Sequence, residues 1–370
     1  MDDAKVYFEF PLALQEREML FGSAVSEISN NEHSVLGYQS KTPMHIQFQK
    51  SFDKMNLCLV NCLYTADPKD PGIETAVKMS TIGSIFKSFK IEAYTPDSTA
   101  VVFDVTDLFM DNIKELDPFD PYSRMGYKPY SRSYSYEKSN SHLGDVKAFE
   151  DNVSVKSYMT YKVDVTAQVG NMNYAIESKN AFTALVTRSI LLLPKEPMRS
   201  RIADPRMAIF VSGKARFSSN NNRGTEPVYL AHRWNLEPAD VEAYRRGELV
   251  EPVKPIVFYL DENFPEMWRK YLKLGIEDWN LAFEKIGFKN AVKALDYPKN
   301  DTEFDPDNLK YSCVRYQPIS IENAMGPSWV DPRSGEIITA SVMVYHDIIR
   351  LINNWRFVLT APADPRVRTA

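Results

Sequence analysis

Histidines are the side chains of this sequence whose chemistry best suits metal binding or proton transfer. There are five, scattered through 370 residues: His33, His45, His142, His232 and His346. Two histidines that bind one metal ion from the same helix face lie four residues apart, as in the pattern HExxH. No pair in this sequence has that spacing. We therefore predict no metal site and no catalytic residue in this chain, and we interpret His346, beside Asp347, as a capping or packing residue.

Cysteines and neighbouring acids are the other residues that could carry chemistry. Cys58, Cys62 and Cys313 are too few, and odd in number, for a disulfide framework. In an extended strand the first two would lie about 13 Å apart, too far for a disulfide bond, so we expect buried free thiols. The acidic pairs at 261–262 and 305–307 could serve glycoside hydrolysis. Acids this close together in loops are usually solvated, which makes that interpretation the weaker one.

The composition is that of an ordinary globular protein and argues against two classes of function. Hydrophobic residues make up 44% of the chain and charged residues 25%. The formal net charge of −5 lacks the basic footprint of sequence-independent nucleic-acid binding, so we predict no nucleic-acid partner. No apolar run reaches the roughly 18 residues that cross a bilayer, which predicts no membrane span. The N-terminus, MDDAKVYFEF, is acidic and strand-like, so we identify no signal peptide in it.

The elements that must position these residues begin with β-strands. Apolar and β-branched residues alternate with polar ones through most of the N-terminal half, which predicts antiparallel hairpins. Residues 73–90 instead carry apolar residues at steps of three and four, so we predict one covering helix there. Residues 117–145 are rich in Pro, Ser and Tyr. Their tyrosines could stack on bases or sugars, but the lack of periodicity is more typical of an exposed loop. The predicted strands are 5–10, 18–28, 44–51, 55–66, 101–109, 153–167 and 181–193.

The C-terminal part follows a different pattern, in which strands and helices alternate. The run PIVFYLD at 255–261 is apolar almost throughout, as in a strand buried on both faces. A helix is predicted from Pro265 to a stop at Gly287. The remaining predicted elements are strands at 291–298, 312–319 and 336–345, the turn DPRSG at 331–335, and a helix over 347–359.

Several short sequence segments occur here in the same order as in a known family. They are LPKEPMRSRIADPR (193–206), LAHRWNLEP (230–238), PIVFYLDENFPEMWR (255–269), WNLAFEKIGFKNA (279–291) and the hairpin with NNWRF (353–357). In these segments the chain resembles bacterial zinc-dependent metallopeptidases of the metzincin-like group, whose N-terminal β-rich domain is known as DUF5117. The resemblance covers most of the chain. It implies an α+β fold class: a mostly antiparallel β domain with its connector at 1–245, then the upper, N-terminal half of a metzincin-like α/β catalytic domain at 252–370.

The function that the resemblance implies is hydrolysis of peptide bonds by a zinc-dependent metalloendopeptidase. Zinc would be held in the full-length parent by a helix of the HExxHxxGxxH type. In the family that helix follows DPRVR, and it is missing here, so we expect no zinc in this chain and no activity from it alone. The parent is expected to be exported to the periplasm or the cell surface. Oligomeric state and substrate preference stay open.

One set of site residues follows from the resemblance. In metzincins an edge strand above the cleft pairs its backbone with an extended peptide substrate. The matching residues here are Gly335, Glu336, Ile337, Ile338 and Thr339, which would form the upper rim of a substrate cleft. The alternative is that they are only sheet and turn. A second hypothesis for the whole chain is a non-catalytic module that binds a protein or a glycan.

Overall fold

The computed structural model describes residues 5–37, 39, 41–119, 130–169, 172–219 and 224–365. It divides into two units, Met1–Trp234 with Trp329–Ile338, and Asn235–Ser328 with Thr339–Ala370. The first unit therefore takes in a short segment from late in the chain. The domain boundaries predicted from the sequence, 1–245 and 252–370, are not tested by this division and stay a prediction.

Antiparallel strands build most of the first unit. Its strands are β1 (Tyr7–Pro11), β2 (Glu18–Ile28), β3 (Met44–Ser51), β4 (Lys54–Leu59), β5 (Tyr64–Ala66), β6 (Ser84–Tyr94), β7 (Ala100–Asp104), β8 (Tyr130–Tyr136), β9 (His142–Ala148), β10 (Asn152–Val169), β11 (Met172–Leu192), β12 (Val211–Phe217) and β13 (Glu226–Ala231), and its helices are α1 (Pro71–Ser80) and α2 (Thr106–Met110). Ten of these described strands form one sheet in the order β1-β7-β6-β4-β3-β2-β11-β10-β8, with β9 also paired to β10. The other three form a small sheet, β13-β12-β5.

The large sheet curls around side chains that alternate along its strands. Phe21, Phe48 and Phe103, from three different strands, are at most 1% exposed and share one core cluster. Successive side chains of a strand point to opposite faces, which is why an alternating sequence folds with one face buried. A second cluster draws mainly on β10 and β11, where the rings of Tyr161 and Phe182 stack with centroids 5.6 Å apart.

A mixed sheet with helices builds most of the second unit, although Trp329–Ile338, in β18 and the start of β19, is counted with the first. The remaining strands are β14 (Ile256–Leu260), β15 (Val292–Asp296), β16 (Ser312–Gln317), β17 (Ala324–Met325), β18 (Ser328–Asp331) and β19 (Glu336–Tyr345), and the remaining helices are α3 (Val241–Arg245), α4 (Glu266–Glu277), α5 (Asn280–Glu284) and α6 (Ile348–Thr360). The sheet order is β15-β14-β16-β19-β17, with β18 beside β19. Leu260, Phe264 and Val314 lie in its core, and Trp268 of α4 packs against them. Among the described residues, no helix has the length and apolar character needed to cross a membrane.

The fold class predicted from the sequence is wrong. The expected α+β chain ends in the upper half of a metzincin-like α/β catalytic domain, whereas strands make up 44% and helices 19% of the structure and a large curled antiparallel sheet dominates it. No metzincin-like catalytic domain is seen in the described ranges. The physical reason is that strands and helices alternate in many parallel and mixed sheets, so this order alone does not specify a catalytic domain.

The helix predicted over 73–90 is only half correct. Helix α1 ends at Ser80, and β6 begins at Ser84. Within β6, Ile85 is 62% exposed and Phe89 is 6% exposed. Apolar residues four apart lie on one face of a strand as well as of a helix, and a register shift opposite Leu57 and Cys58 places these two differently. The spacing therefore could not distinguish the two structures.

The exposed loop predicted at 117–145 contains β8 and the beginning of β9, although residues 120–129 lie outside the described ranges. Tyr134 and Tyr136 pack against the second core cluster. These two tyrosines therefore fill space beside the sheet, which explains their alternation with serine. The stacking role suggested for Tyr127 falls on a residue that is not described.

Candidate functional site

The predicted substrate-binding residues 335–339 occupy a turn and the beginning of β19. The backbone N–H of Arg233 donates to the carbonyl oxygen of Gly335 at 3.0 Å, and the N–H of Ile337 donates to the carbonyl oxygen of Arg233 at 2.9 Å. Strand β18 pairs with β19 as well. The backbone groups of Gly335 and Ile337 that an added peptide strand would use are therefore already engaged. The rim role of Gly335, Glu336, Ile337, Ile338 and Thr339 stays a prediction, and sheet and turn is the simpler description.

A buried ion pair fixes the turn that precedes β19. Asp331 is 0% exposed, and both of its carboxylate oxygens accept from the guanidinium of Arg333, at 2.9 and 2.7 Å. The same guanidinium donates to the carbonyl oxygen of Pro194 at 2.7 Å, and Lys214 donates to the carbonyl oxygen of Arg333 at 3.2 Å. A planar guanidinium suits such a two-pronged contact. The turn is thus held by several partners within the first unit.

Next to this turn, the first unit brings together three side chains that the sequence did not connect. The Nε2 atom of His45 lies 2.6 Å from Oε2 of Glu18. The thiol of Cys62 interacts with the same imidazole. Arg333 extends the group, with its Nε 3.6 Å from Oε2 of Glu18. A carboxylate this close to an imidazole favours the charged form of the ring.

Strand pairing creates this cluster, which we call the Glu18–His45–Cys62 cluster. Glu18 begins β2 and His45 lies near the start of β3, where Leu20 is its register partner. The N–H of Val60 donates to the carbonyl oxygen of His45 at 2.8 Å, so the chain leaving β4 passes His45 two residues before Cys62. The three residues are distant in sequence, and only the order of β2, β3 and β4 in the sheet makes them neighbours.

The electrostatics of the cluster favour a charged imidazole. Burial would lower the pKa of His45, but its interactions with Cys62 and Glu18 outweigh burial and raise that pKa to about 9. Burial would raise the pKa of Glu18, but the hydrogen bond and charge of His45, with the charges of Arg333 and Lys214, lower it. The 2.6 Å between His45 Nε2 and Glu18 Oε2 is the separation of a strong contact, although neither ring nitrogen has a partner at a hydrogen-bonding angle. We therefore describe the contact between His45 and Glu18 as an ion pair.

An apolar cavity of about 420 Å³ lies elsewhere in the first unit, between β1 and β9. Strand β1, at one end of the strand order, supplies one wall, and β9 with the turn into β10 supplies another. The interior side chains of Phe10 and Phe48 line its base. Glu9, Glu150 and Asp151 also line it, with Lys147 as the one basic residue among its lining residues.

Comparison with known proteins bears on the segment that holds most of the first unit. The model of one family matches residues 37–239, more than half of the chain, and its description is domain of unknown function (DUF5117). The chain belongs to the DUF5117 family. This confirms the DUF5117 part of the resemblance found in the sequence. No curated protein and no solved structure matches the chain. Within the DUF5117 segment lie His45 and Cys62, whereas Glu18 and Arg333 lie outside it.

The other histidines of the chain, inside and outside the DUF5117 segment, have packing or hydrogen-bonding partners. His33 stacks on Phe182 at 4.5 Å, His142 stacks on Tyr158 at 4.7 Å, His232 contacts Ser212 at 2.9 Å, and His346 contacts Tyr316 at 2.7 Å and stacks on Trp268 at 5.5 Å. The packing role predicted for His346 agrees with this arrangement. In the ranges that the structure describes, no three His, Cys, Asp or Glu side chains are placed to hold a metal ion. These residues therefore do not fit the zinc that the resemblance implies for the parent.

The remaining sequence candidates have local roles. All three cysteines are free, as predicted, but only Cys58 and Cys313 are buried. Burial raises the pKa of both these thiols. Of the acidic pairs, Asp261 accepts from the backbone N–H of Asn263 at 2.9 Å, two residues further on, and the pair at 305–307 shares a similar contact at 2.8 Å. These acids stabilise turns.

The sequence signal for the Glu18–His45–Cys62 cluster was weak. His45 occupies a polar position in an alternating strand, and Cys62 follows an apolar run. Neither feature differs from those of ordinary sheet residues. A prediction that β3 lies between β2 and β4 in the sheet would have placed His45 near Glu18 and near the chain that leads to Cys62.

Proposed function

We propose that this chain is the N-terminal part of a zinc-dependent metalloendopeptidase and that its first unit binds extended peptide for that enzyme. The peptidase half of the proposal is supported by the sequence segments in which the chain resembles such enzymes. The peptide-binding half is carried by one observation, the apolar cavity between β1 and β9. Zinc and the catalytic groups are assigned to the full-length parent.

An extended peptide suits the walls of this cavity. In the described part of the sheet, β1 begins the strand order and pairs with β7, and β9 lies outside that order and pairs with β10. A strand at a sheet edge can accept the backbone of an added strand, and alternate side chains of that strand enter pockets. Here they would meet Phe10 and Phe48 at the base of the cavity.

The charges around the cavity indicate which peptides fit best. Three acids and one lysine line it, and acidic groups at a rim attract basic partners and repel acidic ones. We therefore expect a preference for segments in which valine or leucine alternates with lysine.

The test is binding of an acetylated, amidated peptide of sequence VKVKVKV, measured by calorimetry. Val146 lines the cavity and is 55% exposed, so Val146→Lys removes apolar surface and repels the peptide while sparing the core. We expect this change to weaken binding about tenfold. Val169→Lys is the matched control, because Val169 is 60% exposed and lies outside the cavity. Equal binding by wild type and both variants would remove the cavity from the proposal.

A protein-binding module without catalysis is the second candidate, and the same cavity favours it because binding there needs no catalytic group. Cleavage of peptides by the full-length gene product separates the two. The first candidate predicts cleavage that a chelator abolishes and added zinc restores. Binding without any metal-dependent cleavage would favour the second.

A further inference from the structure

We propose that a second, polar cavity of the first unit binds a neutral oligosaccharide. This cavity has a volume of about 800 Å³, within the range of ligand sites in proteins. Its wall is built from β6, from the end of β7 with α2, and from the chain that leads from β8 into β9. None of its described lining residues lines the apolar cavity between β1 and β9, so the proposal is independent of the peptide site.

The charges of this polar cavity cancel. Four of its described lining residues are lysines, and Glu92, Asp104 and Asp107 supply three acids. A fourth acid, Asp111, contacts two of these lysines, at 2.9 and 3.4 Å. A cleft lined by one sign of charge concentrates ions of the opposite sign, and these four acids balance the four lysines. The cavity therefore suits a ligand without net charge.

The ion pairs already present in the wall also disfavour an ionic ligand. Nζ of Lys138 lies 3.6 Å from Asp107 and 2.9 Å from Asp111. Nζ of Lys5 lies 3.1 Å from Asp104. An anion would compete with these acids for the lysines, and a cation would compete with the lysines for the acids. A hydroxyl group displaces neither, because it donates to a carboxylate and accepts from an ammonium group that has three N–H donors.

Two side chains of β6 are open to a ligand without any rearrangement of these pairs. Lys90 and Glu92 line the cavity, and both are exposed. Within the described ranges, neither side chain forms an ion pair. Lys90 offers a donor and Glu92 an acceptor, two residues apart on one strand. Adjacent hydroxyls of a sugar ring can bind both at once.

The cavity also has apolar and planar groups for the faces of a sugar ring. Phe89 and Met110 line it and are 6% and 7% exposed, so they form its base. His142 lines it as well, and its ring stacks on Tyr158 at 4.7 Å, which fixes the orientation of the imidazole. The C–H groups of a sugar ring pack against such surfaces. Polar walls over a small apolar base therefore match an oligosaccharide better than an apolar peptide.

The test is binding of maltotriose, cellotriose and triacetylchitotriose to the whole chain, measured by saturation-transfer NMR and calorimetry. We expect at least one of these sugars to bind with Kd of about 1 mM. Binding should be equal in about 0.1 M and about 1 M NaCl, because salt does not screen a neutral ligand. If no sugar binds at about ten times that Kd, the proposal is overturned. Binding of inorganic phosphate alone, lost at the higher salt concentration, would overturn it in favour of an anion site.

A bulky side chain in the wall shows whether the sugar lies in this cavity. Ser139 is exposed and lines it, so Ser139→Trp fills space without disturbing the core and should weaken binding at least about tenfold. Ser80→Trp is the matched control, because Ser80 is exposed at the end of α1 and does not line the cavity. Equal binding by wild type and Ser139→Trp would place the sugar elsewhere and overturn the assignment.

A lysine variant tests the hydrogen bonds. Lys138→Leu removes a donor from the wall and should weaken binding about fivefold. Lys78→Leu breaks a similar exposed ion pair, at 2.6 Å from Glu74, outside the cavity, and should leave binding unchanged; an equal loss in both variants would contradict the role of Lys138. Val146→Lys should also bind sugar as wild type does, so a failure of the peptide site and a failure of the sugar site are distinguishable.

Discussion

Two charged side chains in the first unit are buried in different ways, and their energetics differ accordingly. His45 has an acidic partner 2.6 Å away. Arg188 is 1% exposed and donates to the carbonyl oxygen of Leu108 at 2.7 Å, with the sulfur of Met159 at 3.8 Å as a weaker contact. A charge removed from water is costly unless its partners replace the lost hydration. His45 is therefore expected to stabilise the fold, and Arg188 to do so less.

His45 makes the stability of the chain depend on pH. Its pKa rises from 6.5 in the unfolded chain to about 9 on folding, so its contribution is complete below pH 6.5 and is lost as pH rises through 9. Because Glu18 is 28% exposed, we expect a loss of only about 2 kcal/mol. Urea unfolding measured across this range should show the decline in wild type, and His45→Gln should abolish it. His142→Gln, at an exposed histidine, should keep it; a decline of equal size in all three proteins would contradict the assignment.

For Arg188 we expect the opposite: removing its buried charge should not destabilise the fold. Burial lowers its pKa to about 10, a sign that the charged form is poorly compensated. We expect Arg188→Met, which keeps the volume and removes the charge, to leave the free energy of unfolding unchanged or to raise it by about 1 kcal/mol. Arg188→Ala leaves a cavity and should cost about 3 kcal/mol. If the methionine variant were as unstable as the alanine variant, the hydrogen bond to Leu108 would stabilise the fold by more than burial of the charge costs.

The turn before β19 is an element whose geometry demands one residue type. Gly335 has φ of +81°, and a Cβ atom there would lie 2.5 Å from the carbonyl oxygen of Ala231. Gly335→Ala should therefore cost about 3 kcal/mol, from both the backbone conformation and the clash. Gly247 is the control, because its φ is +85° but no heavy atom lies within 4 Å. Gly247→Ala should cost about 1 kcal/mol, and denaturant unfolding measures both.

Helix α6 exposes large apolar side chains to solvent. Trp355 is 60% exposed and Leu359 is 76% exposed, and they lie four residues apart on one face. Exposed patches of this kind bind apolar dyes or other proteins. The double variant Trp355→Glu, Leu359→Glu should lower the fluorescence of bound anilinonaphthalene sulfonate by about half. Asn354→Glu, a charge added at an exposed polar position of the same helix, should leave it unchanged, and an equal fall would trace the effect to charge alone.

Elements with a clear period were predictable from the sequence, and those without one were not. The strand pair predicted at 153–167 and 181–193 is confirmed, because Val153 and Ile190 are register partners in β10 and β11. Residues 73–90 fit both a helical and a strand period, so the change from α1 to β6 was missed. The Glu18–His45–Cys62 cluster depends on which strands become neighbours, and that choice is set by tertiary packing.

At the scale of the whole molecule, the order of strands and helices in the C-terminal part could be predicted from the sequence. The type of domain that they form could not. Strands predicted at 255–261 and 312–319 correspond to β14 and β16. The resemblance assigned them to half of a catalytic domain, and the structure overturned that assignment. A short mixed sheet is shared by many folds, so chain order alone could not have decided the matter.

The return of Trp329–Ile338 to the first unit predicts how that unit tolerates truncation. A chain ending at Trp234 lacks Gly335 and Ile337, the backbone partners of Arg233, and leaves Glu18 without Arg333. We expect it to unfold at a lower urea concentration than the whole chain and to regain stability when a peptide of residues 328–338 is added. A peptide with Arg333→Ala should restore less. Equal midpoints for the truncated and whole chains would mean that the segment is dispensable.

This discontinuity also bears on synthesis. A ribosome makes Trp234 and then the whole of Asn235–Ser328 before the segment that completes the first unit emerges. Domains tend to fold as their residues leave the ribosome, so the nascent sheet lacks the contact between Glu18 and Arg333 until Trp329–Ile338 has been made. Translation speed through that stretch sets how long the unfinished sheet is open to chaperones and proteases.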